Sequence, residues 1–302
     1  MIYKILYYII NLSPDGGRHS KEEEEMGNLY MRFPGGKAKC LTLSYDDGVI
    51  NDRRLLALMN EKGLKGTLNL NSGLYEDREF DDYRTTHRRL TKEAALELYT
   101  NCGQEIAGHA VTHPFLEQLT PAMCTQEILQ DRINHERDYG RIVRGFAYPF
   151  GTFSDDVVAS LKACGIVYAR TVWSSHNFDM PKDWLRLNPT CHHGDEKLPE
   201  LTDRFVNGKP GSAPWLFYLW GHSYEFDFKN NWEIIETFAD KVSGRDDIWY
   251  ATNIEVYDYT MAYGQLRFSA DMTMAENPTA TRLRFSWKGK DYEIAPGEKM
   301  TL

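Results

Sequence analysis

Lys39-Cys40-Leu41-Thr42-Leu43-Ser44-Tyr45-Asp46-Asp47-Gly48 decides how this chain is read. Its first six residues form a β-rich run, two adjacent carboxylates close it, and Gly48 lets the backbone turn sharply. Asp52–Lys62 then carries Leu55, Leu56, Leu58 and Met59 on one helical face, with Gly63 as a stop. Lys65–Leu70 reads as a second strand. Downstream the alternation continues. Thr91 caps a helix through Tyr99, Gln104–Ala107 is a third strand, and Thr120-Pro121 opens a helix running to about Tyr139. Arg144–Tyr148 is a fourth strand, Ser154 caps a helix through Ala163, and Ile166–Val172 is a fifth strand. A helix over Leu198–Val206, a strand over Trp215–Trp220, a helix over Asn231–Val242 and a strand over Ile248–Ala251 complete the pattern. Strands separated by such helices mean right-handed βαβ units and a parallel sheet. About seven of them predict an α/β fold, a distorted or incomplete (β/α) barrel rather than an open doubly wound sheet. No GxGxxG or P-loop pattern follows any strand, so nucleotide binding has no support.

Composition narrows the function classes. The 302 residues are 42% hydrophobic and 26% charged, which is globular. Forty-four acids against 35 bases give a net charge of −9, which argues against nucleic acid or an anionic membrane as a partner. Five cysteines (Cys40, Cys102, Cys124, Cys164, Cys191) include no CxxC pair, so neither a disulfide framework nor a zinc ribbon is expected. Each is expected to pack as a small buried hydrophobe. That usage fits a reducing compartment and a cytoplasmic rather than a secreted protein. Residues 1–25 read as an extension, disordered or a non-native start, with Met26 a second plausible start. Residues 26–262 form the principal domain. From 263 to 302 the pattern changes to Gln265–Thr273, Thr281–Trp287 and Asp291–Ile294, a small β-rich appendage.

In parallel α/β folds chemistry sits in the loops that follow the strands. After the first strand come Asp46 and Asp47, whose side chains face opposite sides of a regular strand and so suit two different roles. After the third comes Gly108-His109-Ala110-Val111-Thr112-His113-Pro114, an H-x3-H spacing that suits two imidazoles on one metal. Pro114 biases His113 towards a loop, and Ala110 stands where a zincin carries its catalytic Glu. After the fourth comes Tyr148-Pro149-Phe150-Gly151, a turn that either packs in the core or walls a groove. After the sixth comes Gly221-His222-Ser223-Tyr224-Glu225, which lacks the final glycine of a nucleophile elbow. One Asp and two His from successive strand ends make a three-ligand catalytic metal site with an open position. Such a site acidifies water, a second carboxylate can take its proton, and His222 can protonate a leaving group.

These residues resemble the polysaccharide deacetylase family, the NodB-like domain of carbohydrate esterase family four. Ser44-Tyr45-Asp46-Asp47-Gly48 resembles its T-F-D-D-G motif, and His109–His113 its H-S/T-x-x-H motif. Ala147–Gly151 resembles its R-x-P-Y/F-G motif, and Leu219–His222 its late L-x-L-H motif. The resemblance implies a metal-dependent deacetylase acting on an acetylated, most simply N-acetylated, saccharide. Asp46 would be the general base, and Asp47, His109 and His113 would hold a divalent metal: zinc, with cobalt, nickel or iron as alternatives. Phe150 would offer its backbone N–H to the oxyanion, His222 would be the acid, Asp183 would orient His222, and Trp184 would line the groove. Tyr148 and Tyr224 are further expected substrate contacts. The family's motif Arg falls on Ala147 here, and Arg170, ending the fifth strand, is expected to take its place beside Asp46. Two alternatives stand beside this reading: a related metal-dependent hydrolase of a small amide or cyclic ureide, and a carbohydrate-binding pseudoenzyme. Cys191-His192-His193-Gly194-Asp195 is metal-friendly in composition but follows no clear strand.

Overall fold

A computed structural model describes residues 29–80 and 87–302; the extension predicted over residues 1–25 lies outside the described residues. A short strand β1 (Leu29–Arg32) precedes β2 (Lys39–Asp46), the strand read first in the sequence. Then follow α1 (Asp52–Glu61), β3 (Gly66–Leu70), α2 (Lys92–Tyr99), β4 (Glu105–Gly108), α3 (Pro121–Tyr139), β5 (Gly145–Ala147), α4 (Asp155–Ala163) and β6 (Tyr168–Arg170). The second half holds β7 (Cys191–His192), α5 (Leu198–Asn207), β8 (Trp215–Gly221), α6 (Tyr224–Phe228), α7 (Glu233–Val242), β9 (Ile248–Tyr250) and α8 (Asn253–Tyr263).

Seven parallel strands lie in the order β6-β5-β4-β3-β2-β8-β7, an open half-barrel. β8 pairs along the length of β2, so β3 and β9 share its other edge, β3 beside Leu43–Asp46 and β9 beside Lys39–Leu41. The predicted incomplete barrel is therefore present. Its opening lies between the edge strands β6 and β7, and the segment leading into β7 hydrogen-bonds β6 through Leu187. β7 is a strand that sequence patterning missed, because its two residues are too few to show a period.

Every residue of β2 is buried, and strand alternation divides its side chains. Leu41, Leu43 and Tyr45 join the helix-facing core with Leu55, Leu56 and Met59 of α1. Thr42, Ser44 and Asp46 face the barrel interior, which is polar and internally bonded. Thr42 donates to Asn253 (2.7 Å), Asn253 donates to Tyr218 (2.7 Å), and Asn69 donates to both Ser44 and Asp46 (2.8 Å each). The helix starts follow cap chemistry: the hydroxyls of Thr91, Thr120 and Ser154 each accept a backbone N–H of the first turn.

The last forty residues form strands β10 (Arg267–Phe268), β11 (Met274–Glu276), β12 (Leu283–Trp287), β13 (Lys290–Ile294) and β14 (Lys299–Thr301). They make two three-stranded sheets, β10-β11-β14 and β1-β12-β13, so the first described strand completes the C-terminal unit. The run over Gln265–Thr273 is not one strand: Ser269 and Asp271 accept the N–H groups of Thr273 and Met274 and turn the chain. All five cysteines are buried and unpaired. Among the described residues no helix is long and apolar enough to cross a membrane.

Candidate active site

The strand ends of the barrel carry the chemistry. Asp46 is the last residue of β2, and Asp47, at φ 84°, swings the backbone into the loop. Left-handed φ recurs at Gly48, Ala110, His113 and Phe150. Such strain on non-glycine residues is held in place only by surrounding structure and gathers at functional sites. Here the holding groups are visible. Fully buried Asp131 of α3 accepts the His109 N–H (2.9 Å) and the Ser72 N–H (2.9 Å), and Asn71 donates to the carbonyls of His109 and Ala110 (2.8 Å to the latter). Gly108 is needed because a Cβ there would lie 2.9 Å from Asp131 and 3.0 Å from Phe146.

Five ionisable side chains converge on one point. Asp47 Oδ1 lies 3.9 Å from both His109 Nε2 and His113 Nε2. Asp46 Oδ2 lies 3.9 Å from His109 Nε2 and 3.9 Å from His222 Nε2, and Asp47 Oδ2 is 4.0 Å from His222 Nε2. None of these is a hydrogen bond, so the donor atoms face a shared space rather than each other. His109 Nδ1 is bonded to the Ala147 carbonyl (2.8 Å), which places the proton on Nδ1 and frees the Nε2 lone pair. The three candidate ligand atoms of Asp47, His109 and His113 lie within 4.8 Å of one another.

Electrostatics keep the two histidines neutral and the two carboxylates charged. Burial pulls the His109 pKa down, the Asp46 and Asp47 charges only partly opposing it; burial and the neighbouring His109 take His113 down to about 4. Burial alone would raise Asp46, but the Arg170 guanidinium and the His109 and His222 rings outweigh it and lower its pKa. Asp47 is lowered further, because a hydrogen bond from His87, the His109 ring and the Arg89 guanidinium outweigh its burial. Burial also works against the His222 imidazolium, but the bond to Glu225 and the Asp46 and Asp47 charges raise its pKa overall.

Arg170 of β6 is completely buried, donates to Asp46 Oδ2, and stacks over Trp220 at 4.3 Å. It therefore stands beside Asp46, where the sequence led it to be expected. Phe150 is half exposed, with its ring 4.5 Å from His113 and stacked 3.9 Å from Phe115. Tyr224 packs on His87 (4.6 Å) and His222 (5.3 Å), at the edge of the site.

Three expectations are corrected. Asp183 does not orient His222: its carboxylate accepts the Leu185 N–H (3.0 Å) and pairs with Arg186 (2.6 Å), as a cap of the short turn it begins. The carboxylate on His222 Nδ1 is Glu225, at 2.8 Å. Trp184 packs edge-to-face on Tyr257 of α8, against the core that joins barrel and C-terminal sheets, not along the groove. Tyr148 is buried, stacks on Phe153 (4.8 Å) and donates to the Leu185 carbonyl (2.7 Å), so it is a core residue. The left-handed turn at Phe150 separates the two aromatics, sending Tyr148 inwards and leaving Phe150 at the surface.

Sequence reading also missed His87, bonded to Asp47 Oδ2 (2.9 Å), and Arg89, bonded to Asp47 Oδ1 (3.1 Å) and Asn71 (2.7 Å). They come from the loop before α2, where no strand end flags them. Asp131 lies within a helix, where a lone acid reads as a solvated residue.

The polysaccharide deacetylase family model matches residues 34–169. No curated protein sequence matches the chain. A crystal structure of a putative polysaccharide deacetylase from Mycobacterium smegmatis is 17% identical and superposes at a TM-score of 0.53, covering 77% of this chain and 93% of that one. A mutant of the peptidoglycan deacetylase PdaC from Bacillus subtilis is 13% identical at a TM-score of 0.50, covering 75% of this chain and 94% of the other. At these identities the likeness is one of fold. Arg170, His222 and Glu225 lie beyond the matched segment, which holds Asp46, Asp47, His109 and His113. That segment is similar to the polysaccharide deacetylase family.

Proposed function

We propose that the protein is a metal-dependent deacetylase that hydrolyses an N-acetyl group on a saccharide. The observation that carries this reading is the convergence of an acid, a base and three metal-ligand donors. Asp46 Oδ2 stands 3.9 Å from both His109 and His222, with Asp47 and His113 completing the ring. Asp47, His109 and His113 would hold the ion, and the donor chemistry fits: one carboxylate and two imidazoles kept neutral, one of them tautomerically fixed. Two His and a carboxylate suit zinc, and also cobalt, nickel or iron. When bound, the ion supplies Lewis acidity to the acetyl carbonyl and to the attacking water.

The chain's own groups do the rest. Arg170 and Asn69 hold Asp46 ionised and oriented, so its carboxylate accepts the proton of the attacking water. Phe150, presented by its left-handed turn, offers a backbone N–H to the developing oxyanion. His222, with its pKa raised, carries a proton on Nε2 to the departing amine. Half-exposed Phe150 and Phe115 form an apolar wall beside His113 suited to a sugar face. A pseudoenzyme would not need to retain the base, the acid and the groups that orient both.

Acetate release from a panel of N-acetyl and O-acetyl saccharides tests the proposal. Metal-stripped protein should be inactive and regain turnover on adding zinc or cobalt. Asp46→Asn should lose about a hundredfold or more in kcat, the usual value of a general base, while binding metal normally. Binding of glycan without acetate release from any of the panel, with metal bound, would contradict it.

A further inference from the structure

The Cys191–Asp195 segment has no part in the chemistry above, yet the barrel sets it beside the acid. His192 lies at the end of β7, paired in parallel with Trp220, two residues before His222. Glu225 stands one helical turn after His222 and contacts both histidines, His222 Nδ1 at 2.8 Å and His192 Nε2 at 3.2 Å, through the same oxygen, Oε1. Its other oxygen, Oε2, accepts from Lys229 Nζ at 2.7 Å.

Hydrogen-bond bookkeeping fixes the protons. The Gly194 N–H donates to His192 Nδ1 (3.0 Å), so that nitrogen is the acceptor and the His192 proton sits on Nε2, aimed at Glu225. An ionised carboxylate only accepts. His222 Nδ1 must therefore carry its proton towards Glu225 too, which turns its other nitrogen, Nε2, to Asp46 and Asp47. We propose that Glu225 and His192 are positioning residues for His222: a chain from the Gly194 N–H through His192 and Glu225 fixes the orientation and tautomer of the acid. The inference rests on His222 acting as the acid of the proposed deacetylation.

The neighbouring residue has a different task. His193, just beyond the strand, has its ring 4.2 Å from that of His192, is buried between Tyr45 and Phe226, and lies 3.8 Å from Glu225 Oε2, too far to bond. His192, His193 and Glu225 place ligand-type atoms within 4.8 Å of one another. The same bookkeeping rejects a metal there: His192 Nε2 bears a proton, and Lys229 occupies the second carboxylate oxygen.

The test compares two substrates of the metal-loaded enzyme. An N-acetyl sugar expels an amine that must be protonated; nitrophenyl acetate expels a nitrophenolate that needs no proton. Glu225→Gln should lower kcat on the amide about a hundredfold and His192→Ala about tenfold, with KM held within twofold. The amide-to-ester ratio of kcat should fall with them. His192→Gln, whose side-chain amide can donate to Glu225, should recover several-fold over His192→Ala. Equal losses on both substrates, no loss on the amide, or no recovery with His192→Gln would overturn the proposal. Independently of any variant, ring 15N shifts of the native protein above the His222 pKa should show His192 protonated on Nε2 and His222 on Nδ1. The opposite tautomer of either ring overturns it as well. Native enzyme that releases no acetate from any sugar would sink the deacetylase reading instead, and the 15N shifts would still decide the positioning chain.

Discussion

Among single residues, Asp46 and its partner Arg170 state the balance of the site most sharply. Both are buried, and each is costly there without the other. Arg170→Met should therefore destabilise the fold by about 3 kcal/mol, read by urea unfolding, while Arg170→Met combined with Asp46→Asn should recover part of that loss. Equal stability of the single variant and the native protein would show that Asn69 alone satisfies Asp46. Asp52 at the start of α1 gives a pH test. It is buried, accepts hydroxyls from Tyr99 and Ser223, and is pushed up to about 6 by burial, with the Asp47 charge adding to it. A carboxyl whose folded pKa exceeds its unfolded value near 4 contributes stability that is full below pH 4 and lost as pH rises through 6. Asp52→Asn should remove that decline, so the stability of variant minus native should rise by about 2–3 kcal/mol between pH 4 and pH 7. A pH-independent difference would contradict the shift. The contact of Arg170 with Asp46 was legible in the sequence, as a charge ending a strand opposite a motif that lacks its own Arg. Glu225 was not, because the i,i+3 contact that puts it on His222 forms only once α6 turns the chain back.

The elements were legible where length and cap chemistry agreed. Helices announced by Thr91, Thr120-Pro121 and Ser154 begin where their hydroxyls accept, and the seven strands read from apolar runs are all present. β7 escaped because two residues have no period, and with it went the reason for the His192-His193 pair. β8 ends on a glycine because of that pair. A Cβ at Gly221 would lie 2.0 Å from His193 Nδ1, and His193 cannot retreat between Tyr45 and Phe226. Gly221→Ala should cost about 1–3 kcal/mol by overpacking and lower kcat by displacing His222, which follows directly. Native-like stability and turnover in that variant would mean that β7 yields more readily than its packing indicates.

Across the whole molecule, a half-barrel gathers the candidate site's groups at its strand ends over a polar interior and shares a core with the C-terminal sheets. β1 completes the sheet of β12 and β13, and Met31, Phe33, Leu283, Phe285 and Trp287 share a core with Tyr259 of α8 and Trp220 of β8. Deleting residues 265–302 should therefore expose that core and lower the melting temperature by ten degrees or more on the scale of roughly 2–4 °C per kcal/mol. An unchanged melting temperature would show the sheets to be an independent unit. The central claim concerns the site that this frame supports, and acetate release tests it most directly. Metal-stripped protein, zinc-reloaded protein and reloaded Asp46→Asn should be compared on one N-acetylated oligosaccharide. The account predicts acetate from the reloaded native protein alone. Acetate from Asp46→Asn at a native rate, or none from reloaded native protein on any acetylated sugar, would contradict it.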